Sequence, residues 1–272
     1  MNYLILGFIQ GVTEFFPISS SGHLVLFEDF LGVNNAGASA EIIAHFGTLF
    51  SIILFYRATF FSNKNPDDFF HMNTLKMLFI STIPSILVGL LFDLEIFFNY
   101  DFVKAALLCN GGFLIALSGL RDSMEKSTIF QNPSSWQWNY KTSFFLGLFQ
   151  ALAMLPGISR SGMVISYGLF VGLEKKKIIQ YAFFMAVPVI MLSIVYKLLL
   201  SDGFEAIAFQ PGLILFISSF IFGYLSLIFL IKFLERFSFA WFGLYCIIIS
   251  VCLLYTSPSP RDATLSRMPS SA

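Results

Sequence analysis

The chain has 272 residues, of which 57% are hydrophobic and only 12% charged, and its formal net charge is zero. Globular proteins average about 25% charged residues, and a soluble domain of this length cannot hide so much apolar surface, so the composition predicts a polytopic membrane protein. The charge balance gives no hint of nucleic acid, and the three cysteines, Cys109, Cys246 and Cys252, have neither metal-ligand spacing nor an even disulfide count.

Residues 2–31 come first. They lack the basic flank and small-residue cleavage site of a signal peptide. They are apolar but broken by Pro17 and by Ser19, Ser20, Ser21 and Gly22. Each arm is short for a bilayer crossing, which takes about 20 residues, and irregular backbone at membrane depth persists only where protein or water satisfies it. A re-entrant helix–loop–helix is therefore expected, its tip facing an internal cavity. Three crossing segments follow at about 41–56, 74–92 and 102–120. Residues 142–172 repeat the broken pattern, and further crossings are expected at about 178–200, 212–231 and 238–255. The predicted fold is an all-α integral membrane protein with about six transmembrane helices plus two re-entrant hairpins.

Loop charges fit this layout. The segments 57–76, 121–141, 174–177 and 232–236 hold Arg57, Lys64, Lys76, Arg121, Lys126, Lys141, Lys175, Lys176, Lys177, Lys232 and Arg236, whereas 28–40, 93–101 and 201–210 hold no Lys or Arg. Every basic loop falls on one face, which the positive-inside rule makes cytoplasmic. Two full hairpins would give the same sides, so segment length and the broken tips carry the re-entrant reading.

The two broken regions are copies. A constant offset of 140 aligns Leu6 with Leu146, Gly7 with Gly147, Gln10 with Gln150, Ile18 with Ile158, Ser19 with Ser159, Ser21 with Ser161 and Gly22 with Gly162. One hairpin enters from outside and the other from the cytoplasm, so the halves, about 1–120 and 141–251, are expected to be inverted repeats whose tips meet near the midplane.

The composition breaks abruptly over 252–272, CLLYTSPSPRDATLSRMPSSA. That stretch back-translates readily into a sequencing-library transposase adapter. The expectation is a fused artefact, disordered or completing the last helix, with a single membrane-embedded domain over 1–251; an ordinary disordered tail is the alternative.

The copies diverge where chemistry would sit. Glu14 lies in an apolar run one helical turn after Gln10, and a charge at bilayer depth costs roughly 2.5–3.5 kcal/mol on insertion scales, which marks a functional residue. Carboxylate plus amide oxygen suits Mg²⁺ or Ca²⁺, making Glu14 and Gln10 the candidate metal ligands. Ser20 and His23 stand three apart at a helix start, where His23 could activate the hydroxyl; helix capping explains one serine of the cluster but neither all three nor the histidine. Arg160 in PGISRSG (156–162) offers a fork of donors for phosphate oxygens, or alternatively a partner for Glu14. Gly157 and Gly162 permit close backbone approach, and the following helix start favours an anion. Ser19, Ser21, Gly22, Ser159 and Ser161 complete the candidate substrate-binding set. Glu41 and His45, at i, i+4 spacing, either line the same cavity or pack structurally.

QGVTEFFPISSSGHLVL (10–26), HFGT (45–48) and LPGISRSGMVIS (155–166) together resemble the signature regions of the bacterial undecaprenyl-diphosphate phosphatase family, the bacitracin-resistance type, and the likeness covers essentially all of 1–251. The family's (E/Q)-x-x-x-E and P-x-S-S-x-G-H fall on Gln10, Glu14, Pro17, Ser19, Ser20, Gly22 and His23, and its P-G-x-S-R-S-G is intact at 156–162. The resemblance implies a multi-pass enzyme of the bacterial inner membrane. It would hydrolyse undecaprenyl diphosphate to undecaprenyl phosphate and inorganic phosphate, recycling the lipid carrier of cell-wall synthesis and conferring bacitracin resistance. It also implies an active site facing outside and a divalent cation; Gln at position 10 leaves the metal more dependent on Glu14 and the substrate phosphates. The expected mechanism has Arg160 holding the diphosphate and Ser20 attacking with His23 as base, direct attack by a His23-activated water being the variant. Whether the chain forms a homodimer is left open. The alternative function is a transporter or lipid-carrier flippase on the same scaffold; an intramembrane serine protease would leave Glu14 and Arg160 without a role.

Overall fold

The computed structural model describes residues 2–31, 37–62, 64, 65, 67–125, 139–200 and 208–256. Their helices are α1 (Asn2–Phe15), α2 (Ser20–Leu31), α3 (Gly37–Phe55), the short α4 (Arg57–Phe60), α5 (Met72–Leu91), α6 (Tyr100–Glu125), α7 (Tyr140–Leu152), α8 (Arg160–Phe170), α9 (Lys175–Leu200), α10 (Phe209–Arg236) and α11 (Ala240–Thr256), with a 3₁₀ turn at Glu95–Phe97. Four stretches are long and apolar enough to cross a membrane, Met72–Leu91, Tyr100–Leu120, Lys175–Tyr196 and Phe209–Arg236, and shorter apolar helices lie at Ile42–Phe55 and Ala240–Tyr255. These are the six segments expected from sequence. Neither α4 nor the 3₁₀ turn was foreshadowed, and 257–272, most of the expected artefact, lies outside the described residues.

Part of α10 packs opposite to a helix of a soluble protein. Along α10, Gly212, Ser219, Gly223 and Ser226 are buried, while Ile217, Ile221, Leu225 and Phe229 are exposed. With lipid outside, small residues that let backbones approach gain more from the interior than large apolar ones do.

Both broken regions are hairpins. Pro17 has no N–H to continue α1, and the chain reverses so that Leu24 of α2 packs back on the cluster of Leu6, Ala40, Ala44 and Leu215. In the second copy Tyr167 of α8 stacks on Phe149 of α7, ring centroids 4.2 Å apart.

The halves are related by a local two-fold. A Cβ on Gly111 of α6 would lie 2.6 Å from the Gly243 carbonyl of α11 and 2.7 Å from Ile247; one on Gly243 would lie 2.7 Å from the Gly111 carbonyl and 2.8 Å from Ile115. The contact is reciprocal, and since Ser250 reaches the Lys104 carbonyl while Asn110 meets Cys246, the two helices run antiparallel. A two-fold that reverses equivalent crossing helices lies in the membrane plane and inverts one half relative to the other. Partners are exchanged accordingly: α1 packs on α10 as α7 packs on α5, and α3 packs on α10 as α9 packs on α5.

The basic loops gather at one end. Lys177 pairs with Asp67 at 3.1 Å, Gln180 donates to the Asp67 carbonyl at 3.0 Å, and Lys175 donates to the Leu234 carbonyl. Lys76 and Tyr140 line one shallow cavity between α5 and α7.

Candidate active site

Each tip is built around one serine. Ser19 and Ser159 cap α2 and α8, their Oγ atoms accepting from Gly22 N at 3.3 Å and Gly162 N at 3.2 Å. Each hydroxyl also lies beside the serine two residues on, Ser21 at 3.3 Å and Ser161 at 3.2 Å. The tips are joined directly: Gly157 N donates to Ser19 Oγ at 3.0 Å, and Ser159 Oγ donates to the Phe16 carbonyl at 3.4 Å. Their backbones are not identical. In the first tip Ser19 takes φ 70°, the left-handed region; in the second it is Gly157, at φ 96°. A serine held there carries strain of about 1–2 kcal/mol that the surrounding bonds must offset.

Asn110 of α6 locks the junction. Its Nδ2 donates to the Pro17 carbonyl at 3.2 Å and its Oδ1 accepts from Ser159 N at 3.0 Å. This amide touches both tips and is fully buried.

Beside the junction sits Glu14, whose side chain is 2% exposed. Its Oε1 accepts from Arg160 Nη2. Its Oε2 accepts from Ser20 Oγ at 2.6 Å and from Gln10 Nε2 at 3.0 Å. Ser20 and Arg160 are the first residues of α2 and α8, equivalent positions under the 140-residue offset, so the two-fold delivers one hydroxyl and one guanidinium to the same carboxylate. The expected meeting of Glu14, Gln10, Ser20 and Arg160 is what the structure shows.

His45 belongs to this group. Its Nδ1 lies 3.0 Å from Gln10 Nε2 and 3.7 Å from Glu14 Oε2. The side chain of Glu41 lies outside the described residues.

His23 is placed differently from expectation. Its Nδ1 faces the Ser19 carbonyl at 2.8 Å and its Nε2 faces Tyr245 Oη at 2.9 Å. Ser20 points to Glu14, so no Ser20–His23 hydrogen bond forms. Three-residue spacing put the two on one helical face, but the ring folds back onto the carbonyl of its own cap.

Asn110 and Tyr245 were missed by the sequence reading. An asparagine inside the apolar run 106–115 was a usable signal; a single tyrosine in an apolar segment is not one.

Among the described residues no group of three or more His, Cys, Asp or Glu side chains gathers to hold a metal. Glu14 is nonetheless joined by a buried acceptor with no hydrogen-bond partner, Gln10 Oε1. The amide nitrogen donates to the Glu14 carboxylate, so Gln10 Oε1 and Glu14 would share a cation once the amide turns over. One carboxylate and one amide oxygen fit Mg²⁺ or Ca²⁺ when phosphate and water supply the remaining ligands.

Fold and site together define a class: a multi-pass helical membrane protein of two inverted halves with one charged polar site clasped between paired hairpin tips. The sequence pattern described as Bacitracin resistance protein BacA matches residues 3–252, and the chain belongs to that family. Among similar proteins are two named undecaprenyl-diphosphatase, from Prochlorococcus marinus (strain MIT 9215) and Sulfurimonas denitrificans. Each is 32% identical over 93% of this chain, covering 98% and 97% of the relative. Another, undecaprenyl-diphosphatase 1 of Shouchella clausii, is 30% identical over 92% of this chain and 94% of its own length.

Proposed function

We propose that this protein is an undecaprenyl-diphosphatase, hydrolysing undecaprenyl diphosphate to undecaprenyl phosphate and inorganic phosphate. The site faces the external side of the bacterial inner membrane, opposite the basic loops. One observation carries the chemistry: a single buried carboxylate, Glu14, holds the hydroxyl of Ser20 and the guanidinium of Arg160 together. The relatives' names supply the substrate.

Arg160 exchanges Glu14 for the terminal phosphate, which its fork of donors grips, while the N-terminal end of α8 adds its own N–H groups. Ser20 Oγ attacks the terminal phosphorus and its proton passes to Glu14 Oε2, already at hydrogen-bond distance. The bond from phosphorus to the bridging oxygen breaks, and undecaprenyl phosphate leaves. Water then attacks the phosphoserine and gives a proton to His23 Nε2; the bond from phosphorus to Ser20 Oγ breaks, inorganic phosphate leaves, and Ser20 Oγ takes its proton back from Glu14. Most of the acceleration in phosphoryl transfer comes from positioning and charge stabilisation, and Arg160 provides both. Glu14 and Gln10 Oε1 would hold a divalent cation, which supplies neutralisation of phosphate charge. Every residue named comes from one chain.

Phosphate release from a C15 prenyl diphosphate by purified protein in detergent with Mg²⁺ tests the reading, because hydrolysis needs no membrane sides. Absence of phosphate, beside an active relative, ends it.

A further inference from the structure

We infer that Tyr245 is a positioning residue for the hydrolysis: its phenol holds His23 Nε2 in the empty protein and gives that nitrogen up to the reacting O–H. This rests on the phosphatase reading above.

The Ser19 carbonyl can only accept, so the His23 Nδ1 facing it at 2.8 Å carries the proton. In the neutral ring Nε2 is then the bare, basic nitrogen. Tyr245 Oη sits 2.9 Å from it and donates. That is the distance at which a general base receives a proton, but the donor is a phenol of α11 in the opposite half, and the two rings lie nearly parallel, 9° apart. His23 is 4% exposed and Tyr245 38%, so the phenol lies between the imidazole and the surroundings. Glu14 caps Ser20 and Arg160 in the same way. Each reactive group therefore has an internal partner, and Tyr245 supplies His23 with an O–H in the geometry of the one that reacts. Nothing else bonds Nε2, so the reacting water reaches it only when the phenol withdraws.

His23 acts on the water that hydrolyses the phosphoserine, after undecaprenyl phosphate has left, so the cost of breaking this bond falls on phosphoserine decay and not on kcat/KM. Tyr245→Phe keeps the ring and removes the hydroxyl. Its phosphoserine, formed from a radiolabelled C15 prenyl diphosphate and trapped by acid quench, is expected to decay about three- to tenfold faster, the range of one hydrogen bond, with kcat/KM unchanged. In the full-length protein labelled with ¹⁵N-histidine, where His23→Ala assigns one of three histidines, Tyr245→Phe shifts the His23 Nε2 signal. An Nε2 signal unmoved in Tyr245→Phe, or a phosphoserine that decays no faster than in the parent, overturns the inference. A protein that releases no phosphate overturns the phosphatase reading instead, and the nitrogen signal, read without turnover, tells the two failures apart.

Discussion

Glu14 and Arg160, 146 positions apart in the chain, form an ion pair across the junction of the two halves. The pair is partly desolvated, Glu14 at 2% and Arg160 at 20% side-chain exposure. Removing one member of such a pair strands the other, which costs roughly 3–5 kcal/mol in buried settings. Arg160→Ala and Glu14→Gln should each lower phosphatase activity at least about a hundredfold and lower the melting point in detergent. The double variant should recover part of the stability, with a coupling energy above about 1 kcal/mol. Arg160→Lys should not restore turnover, since an ammonium lacks the fork. Strictly additive losses in stability would remove the pair from the account.

Asn110 bonds both tips at once. Asn110→Leu keeps the branched shape but leaves the Ser159 N–H buried without a partner and the Pro17 carbonyl with only the weak Cys246 thiol at 4.0 Å, so it should destabilise by about 2–4 kcal/mol. As the tips loosen, turnover should fall with it. Thermal unfolding in detergent, paired with phosphate release, reads both; a wild-type melting point would show that water replaces the amide.

Ser19 sets a competition between strain and bonding. Ser19→Ala keeps the unfavourable φ and loses the oxygen that accepts from Gly157 and Gly22, whereas Ser19→Gly loses the oxygen but relieves the backbone. The glycine variant should be the more stable of the two by about 1 kcal/mol, both lying below the parent in activity. The reverse order in a denaturation series would mean that Ser19 is not held in the left-handed region.

Asp68 lies in the segment between α4 and α5, on the basic face. The backbone N–H of Asn65, at 2.9 Å, and that of Lys64, at 3.0 Å, hold its carboxyl below the ordinary aspartate value, against a smaller opposing effect of burial. A lowered folded value means the stabilisation is full above the ordinary value and drains as pH falls through the lowered one. Asp68→Asn should therefore melt below the parent at neutral pH and converge with it at strongly acidic pH. A gap that persists in acid would assign the difference to packing.

Much of this molecule was legible because the duplication repeats. Glu14, His23 and Arg160 stood out as polar departures between two otherwise matching hairpins, and the offset that aligned the copies is the one that brings Ser20 and Arg160 to a common carboxylate. The six apolar segments were readable because a bilayer fixes their length. The rest depends on tertiary placement. Asn110 and Tyr245 are single polar groups in apolar helices, and only the crossing of α6 with α11 and the reach of α11 toward α2 give them partners. The Ser20–His23 pairing failed for a local reason: the left-handed turn at Ser19 aims its carbonyl at the imidazole, and that bond wins over the neighbouring hydroxyl.

The reciprocal crossing of Gly111 and Gly243 presents one surface to a copy of itself, which is the property of an isologous interface. Two separate copies of a single half, inserted in opposite orientations, would have everything needed to close on each other as a dual-topology dimer. Such a dimer must repeat every residue on both sides of its axis. Joining the copies in one polypeptide lifts that restriction, and the matched positions show it in use: Glu14 against Met154, Ser20 against Arg160, His23 against Met163.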